Sequence, residues 1–407
     1  MTRPLVAVPV PADARVLELL PVLRSALAGD GPALLPTEPG QLPAASLRAG
    51  APLGPGEDDP AAPTVAVLVT SGSTGDPKGA LLPASALLAS ASATHDRLGG
   101  PGRWLLALPA HHVAGLQVLV RSLVTGTTPV VLDLTDGFDP AAFAAAAATT
   151  RGPRRYTALV PTQVRRLLDA GDAARQALAG FDAVLVGGAA TPLALRAEAA
   201  DAGVRLVTTY GMSETCGGCV YDGVPLDGVE VRLDPDARIR LVGPMVARGY
   251  RTGPGLADGL TDAFGTDPDG RRWFRSEDLG ELVDGRLTVL GRADDVVVTG
   301  GLKVAPGPVE ALLLLLPGVA EVVVVGVDDA EWGQRVVAAV VPAPGRPVPT
   351  LDAVRRAVRP SLGAAATPRQ LLVLDHVPLR GPGKPDRAEV ARLAAKEAND
   401  EGWTSTR

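Results

Sequence analysis

Short β-rich apolar runs separated by segments of helical period set the rhythm of the first half of the chain. Thr64 to Val69, Trp104 to Leu108 (closed by Pro109), Val130 to Leu132, Tyr156 to Val160, Ala183 to Val186 and Val204 to Thr208 read as strands. Between them, Ser85 to Asp96, the segment opening at Ala110-His111-His112-Val113-Ala114-Gly115 and running through Val124, Pro140 to Ala148 and Thr162 to Ala170 read as helices. Strands alternating with helices predict layered α/β architecture around buried parallel sheet. The Ala141 to Ala148 run is low in complexity, but alanine is the strongest helix former, so it reads as helix. Ahead of these, Ala12 to Ala28 has one helical pattern, and Gly31 to Pro63, rich in Pro and Gly, reads as surface loop.

The texture changes after Tyr210. Short strands with Gly and Asp turns from Gly228 to Leu290 predict antiparallel sheet or a small barrel. Beyond Gly291, Val309 to Leu315, Val322 to Val327, Val336 to Val341, Leu351 to Val358 and Leu371 to Leu374 alternate helix and strand in a compact α+β unit. A boundary near Arg292 to Asp294 divides the chain into a large N-terminal domain, 1–293, and a small C-terminal domain, 294–407. A length of 407 residues also favours more than one core.

Composition narrows the function classes. With 46% hydrophobic and 21% charged residues the chain reads as a soluble globular protein, and no apolar run is long enough to span a membrane. A net charge of −6 gives no electrostatic reason to expect nucleic acid or an anionic membrane as partner. Two cysteines are too few for a disulfide framework and agree with a reducing, cytoplasmic setting. Pro9 and Pro11 break the first apolar run and make it a poor signal peptide. Of 39 basic residues only Lys78, Lys303, Lys384 and Lys396 are lysines, and the first three lie in Gly-containing loops, where a compact ammonium suits better than a forked guanidinium.

Several stretches could carry chemistry. Thr70-Ser71-Gly72-Ser73-Thr74-Gly75-Asp76-Pro77-Lys78-Gly79 follows a strand and combines glycines, hydroxyls and a lysine, a donor set suited to polyphosphate. It is not the kinase-type P-loop, because Gly79 rather than Ser or Thr follows Lys78. An ordinary polar turn would use many of the same residues. Tyr210-Gly211-Met212-Ser213-Glu214 offers a ring to stack on a base, a hydroxyl for a phosphate oxygen and a carboxylate for Mg²⁺; the alternative is a capped strand-to-loop corner. Asp278 and Arg292 could grip a ribose, although each alone reads as a surface charge. Lys384 tips a Gly- and Pro-rich loop that becomes catalytic only if a partner site lies elsewhere. Cys216-Gly217-Gly218-Cys219 has C-x-x-C spacing but no second ligand pair, so it reads as small residues packed beside a site. His111 and His112 follow a buried strand and could be satisfied loop histidines or face a substrate carboxylate.

Taken together, TSGSTGDPKG, LPAHHVAGL, LVGGAATP, TTYGMSE, WFRSEDLG, GRADDVVVTGG and PLRGPGKPDR, in that order from Thr70 to Arg387, resemble the adenylate-forming superfamily of acyl-CoA synthetases, peptide-synthetase adenylation domains and luciferases. The resemblance implies that a carboxylate attacks the α-phosphate of Mg·ATP, pyrophosphate leaves, and the acyl-adenylate is passed to a thiol. Thr70, Ser71, Gly72, Ser73, Thr74, Gly75 and Lys78 would hold the phosphates. Tyr210 and the Gly187-Gly188-Ala189 backbone would hold the adenine, with Gly211 and Met212 in the same site. Ser213, where Thr is commoner, would contact the α-phosphate and Glu214 the metal, while Asp278 and Arg292 would take the ribose. Lys384 would bridge carboxylate and α-phosphate in the first half-reaction. The C-terminal domain would then turn about Asp294 and bring Gly300, Gly301 and Lys303 to a coenzyme A channel. HHVAGL, GGAATP and GGLKV, together with the short segment ahead of the glycine loop, are most similar to the o-succinylbenzoate–CoA ligases of menaquinone biosynthesis. In that group His112, as a catalytic and acyl-pocket residue, would lie beside a small aromatic carboxylic acid, with Gly187 and Gly188 nearby. A ligase for another fatty or aryl acid, or one loading a separate carrier protein, is the neighbouring alternative; a homo-oligomer is left open. Retention of Glu214 and Lys384 speaks against a nucleotide-binding regulator without catalysis.

Overall fold

Three parallel strands open the chain: β1 (Leu5–Pro9), β2 (Ala33–Thr37) and β3 (Thr64–Thr70). β4 (Lys78–Pro83) returns antiparallel to β3, with Thr70 opposite Lys78. The computed structural model describes residues 3–70, 77–251, 261–379 and 385–400, with 261 and 398–400 as backbone alone. β2 is buried at every position, which corrects the expectation of surface loop from Gly31 to Pro63. Pro and Gly on either side mask the short apolar run Ala33-Leu34-Leu35, which a strand between two neighbours needs.

The second sheet runs β6 (Val130–Val131), β5 (Arg103–Leu106), β7 (Arg155–Leu159), β8 (Ala183–Val186) and β9 (Leu206–Met212), all parallel, with β10 (Gly217–Tyr221) and β11 (Val224–Pro225) added antiparallel. The two-residue period of β5 shows how it is covered. Trp104 and Leu106 face a core shared with α1 (Leu19–Ala28), α2 (Ala84–Leu98) and α3 (Val113–Val124). Leu105 faces the opposite core, built from α4 (Pro140–Thr149), α5 (Pro161–Asp169), α6 (Asp172–Ala179) and α7 (Leu193–Asp201). Each fully buried large apolar side chain in such a layer contributes about 1.5–3 kcal/mol.

A third, antiparallel sheet contains β12 (Glu230–Leu233), β13 (Arg238–Val242), β15 (Phe264–Thr266), β16 (Arg272–Val283) and β17 (Arg286–Arg292), as the Gly- and Asp-punctuated pattern predicts. Between β13 and β15 the chain crosses back to the first sheet. There β14 (Tyr250–Arg251) pairs with β4, Tyr250 opposite Ala80 and Arg251 opposite Gly79. The last sheet holds β18 (Val297–Thr299), β19 (Leu302–Val304), β20 (Val319–Asp329), β21 (Gly333–Pro342) and β22 (Gln370–Val373). Its own two apolar cores are closed by α8 (Pro306–Leu313), α9 (Leu351–Ala366) and α10 (Arg387–Asp400). No helix among the described residues is long and apolar enough to cross a membrane.

Candidate active site

Ligands of parallel α/β sheets bind beyond the carboxyl ends of the strands. Three of the stretches singled out from sequence sit there: His111-His112 after β5, Gly187-Gly188-Ala189 after β8, and Tyr210 to Glu214 at the end of β9. Gly187 and Gly211 are required by close approach, because a Cβ on the first would strike Thr209 Oγ1 and on the second the Gly217 carbonyl. Gly188 has φ +82°, and Gly188 and Ala189 are exposed. His112 caps α3 from an extended conformation, with its ring 4.3 Å from that of His111. Burial holds the His111 imidazole below its ordinary pKa.

Of the glycine loop, Ser71, Gly72, Ser73, Thr74, Gly75 and Asp76 lie outside the described residues, but both of its ends are fixed by the β3–β4 hairpin. A Cβ on Gly79 would collide with Val67 and Leu47, so the strand carrying Lys78 is seated tightly. Lys78 Nζ lies 5.5 Å from the centre of the Tyr250 ring. The Tyr250 hydroxyl donates to Glu214 Oε1 at 2.7 Å. Burial first, and the Glu214 carboxylate second, push the Tyr250 phenol well up, so it stays a donor. Glu214 is 7% exposed, and its backbone carbonyl accepts from Ala247 N–H. The loop lysine and the carboxylate, 136 positions apart, are thus joined through one ring.

The ribose candidates also converge. Tyr210 donates its hydroxyl to Asp278 Oδ2 at 2.8 Å, and burial followed by that carboxylate raises the phenol pKa well above its usual value. Asp278 on β16 stands opposite Arg292 on β17. Arg292 makes a bidentate pair with Asp294, 2.7 and 2.9 Å, linking the ribose candidate to the hinge candidate. Burial pulls the Asp294 pKa up, but the Arg292 bonds outweigh it and the net shift is down. Next to it, Asp295 is raised by burial against the pull of Arg387, 3.0 Å away. Arg387 also reaches Glu310 at 2.6 Å and the Val324 carbonyl at 2.8 Å. Lys384 lies outside the described residues; Leu379 and Pro385, on either side of that segment, form a β-bridge.

Gly300 and Gly301, at φ +55° and +77°, make the two-residue turn of the β18–β19 hairpin, the geometry in which Gly-Gly is favoured. Gly300 N–H donates to the Trp332 carbonyl at 2.9 Å, and Lys303 is exposed on the returning strand. Cys216 and Cys219 are buried thiols. Burial pushes Cys219 up to about 12 and Cys216 higher still, which makes them inert core residues. Among the described residues no three His, Cys, Asp or Glu side chains form a metal cage. Glu214, a single buried carboxylate, suits Mg²⁺, which binds through one or two carboxylates together with phosphate oxygens and water.

Two residues at this site carry no local sequence signal. Tyr250 sits on a two-residue strand, and only its pairing with β4 reveals its place. Arg251, fully buried, donates to Glu57 (2.6 Å), the Leu47 carbonyl (2.7 Å) and the Arg48 carbonyl (3.1 Å), anchoring the 47–57 loop beneath β14. Farther inside, His95 accepts from Trp104 Nε1 at 3.2 Å, and the Arg121 guanidinium lies 5.0 Å from the centre of the Trp104 ring.

The AMP-binding enzyme family matches residues 11–251, and the AMP-binding enzyme C-terminal domain matches residues 308–384. The chain is 48% identical over 398 residues to a probable 2-succinylbenzoate–CoA ligase of Mycobacterium tuberculosis (strain ATCC 25618 / H37Rv), covering 97% of this chain and 99% of the relative. It is 32% identical to the indoleacetate–CoA ligase of Aromatoleum aromaticum (strain DSM 19018 / LMG 30748 / EbN1), over 81% of this chain and 67% of that one. Among solved structures it resembles the o-succinylbenzoate coenzyme A synthetase of Bacillus subtilis in complex with ATP and magnesium ion, at 27% identity and TM-score 0.66 over 80% of this chain and 69% of that chain. With its seven motifs in order and Tyr210 to Glu214 seated at the end of a parallel strand, the chain belongs to the AMP-binding enzyme family.

Proposed function

We propose that this chain is an AMP-forming acid–thiol ligase that activates o-succinylbenzoate with Mg·ATP and transfers the acyl group to coenzyme A. The observation that carries the reading is near full-length identity of 48% to a probable 2-succinylbenzoate–CoA ligase. It is supported by the convergence of Lys78, Tyr250 and Glu214 on one side and Tyr210, Asp278 and Arg292 on the other. In the first half-reaction the acid's carboxylate attacks the α-phosphorus and pyrophosphate departs, so negative charge grows on phosphate oxygens. Lys78, the loop amides and Lys384 supply the donors for that charge, and Glu214 holds the cation. Asp278 and Arg292 fix the ribose so that the α-phosphate is presented in line. Gly187, Gly188 and His112 line the acyl side. Two domains meeting near Asp294, 1–293 and 294–407, let the second half-reaction exchange Lys384 for the Gly300-Gly301-Lys303 hairpin at the thiol channel.

The test is ATP–pyrophosphate exchange over a panel of acids, followed by coenzyme A ester formation. The reading expects o-succinylbenzoate to give the highest kcat/KM; it fails if octanoate or benzoate is preferred. The identity to an indoleacetate–CoA ligase favours one alternative, an aryl-acetate substrate, and indoleacetate belongs in the panel.

A further inference from the structure

We propose that Tyr250 is a positioning residue for the metal-binding carboxylate of Glu214, an inference that rests on the metal role given to Glu214 above. Its hydroxyl fixes Oε1 at 2.7 Å, leaving the carboxylate's other oxygen with a defined direction. A phenol suits this task better than a cation would. Lys or Arg at the same place would neutralise the carboxylate and compete with Mg²⁺, whereas a neutral donor orients it and keeps its charge.

The phenol is itself held from several sides. Strand pairing sets its backbone opposite Ala80, two residues beyond Lys78, and the Phe264 ring meets it edge-on at 5.0 Å and 76°. The Ala247 amide fixes the backbone of Glu214 three residues upstream of the ring. Lys78 lies over the same ring, so the lysine of the glycine loop and the metal carboxylate share one support.

Tyr250→Phe removes the hydroxyl and keeps the ring. Mn²⁺ titrations of the full chain with ATP bound, read by electron paramagnetic resonance, are expected to show about tenfold weaker metal binding. Affinity for ATP in the presence of a chelator is expected to stay within twofold of the unaltered protein, a split that general loosening of the fold does not give. In a Glu214→Gln background, Tyr250→Phe is expected to add less than a further twofold loss of Mn²⁺. Unchanged Mn²⁺ affinity in Tyr250→Phe, with Glu214→Gln weakened, overturns the role of Tyr250 and leaves that of Glu214 standing. If Glu214→Gln also binds Mn²⁺ normally, the metal reading falls and this inference falls with it.

Discussion

Replacing Arg251 by Met is expected to loosen the strand pair that carries Lys78 and Tyr250 at the candidate site. The guanidinium is fully buried and donates to Glu57 Oε2 and to the carbonyls of Leu47 and Arg48. Breaking a buried ion pair by removing one partner costs about 3–5 kcal/mol, because the other charge and its acceptors stay behind. Glu57 keeps the Gly54 amide at 2.6 Å and Arg48 at 3.1 Å, which places the expected loss at the low end, about 3 kcal/mol. Since among the described residues β14 pairs within the first sheet only with β4, that loss should appear as local opening of the β4–β14 pair. Hydrogen exchange over peptides covering Lys78–Pro83 reads it directly, with about 100-fold faster exchange expected. KM for Mg·ATP should rise in parallel, because Tyr250 and Lys78 move with these strands. Exchange accelerated less than about threefold would refute the clamp, whatever happened to the global melting temperature.

Tyr210→Phe removes the donor to Asp278, and a hydrogen bond to a charged group of about 1.5 kcal/mol predicts roughly a tenfold rise in KM for ATP with KM for the acid unchanged, measured by pyrophosphate exchange. His95 gives a pH signature. Burial foremost, and Arg121 second, push its pKa down to about 4 from 6.5, so the unfolded chain takes up the proton first. The stability it secures is complete above pH 6.5 and is lost as pH falls toward 4, about 3 kcal/mol over that window. His95→Gln, which cannot titrate, should show a flatter melting temperature between those limits; identical slopes would exclude the buried neutral histidine. Lys384→Ala should abolish adenylate formation yet leave thioester formation from supplied acyl-adenylate largely intact, and equal loss of both halves would remove its assigned role.

Periodicity located strands such as Ala183–Val186, and motif order picked out the candidate nucleotide residues. It failed at Ala33–Thr37, where flanking Pro and Gly hide a central strand, and it left Lys78–Pro83 unassigned because a strand that begins Lys-Gly and ends in Pro lacks alternation. Tyr210 and Asp278 were visible separately, but nothing local says that they meet at 2.8 Å across 68 positions. Tyr250 and Arg251 escaped altogether. Their meaning comes from pairing with β4, which lies far earlier in the chain, and such register is a property of the assembled sheet. The cysteine pair, read as small packed residues because no second ligand pair exists, is buried.

In the proposed reaction one bound ATP is cut between its α- and β-phosphates by the acid's carboxylate. A single turnover of the protein with o-succinylbenzoate and ATP labelled at the α-phosphate, without coenzyme A, tests this most directly. The expected result is a labelled acyl-adenylate in amounts matching the enzyme, with pyrophosphate released and AMP set free only when coenzyme A is added. Labelled ADP with orthophosphate, or no labelled product with this acid, would contradict it.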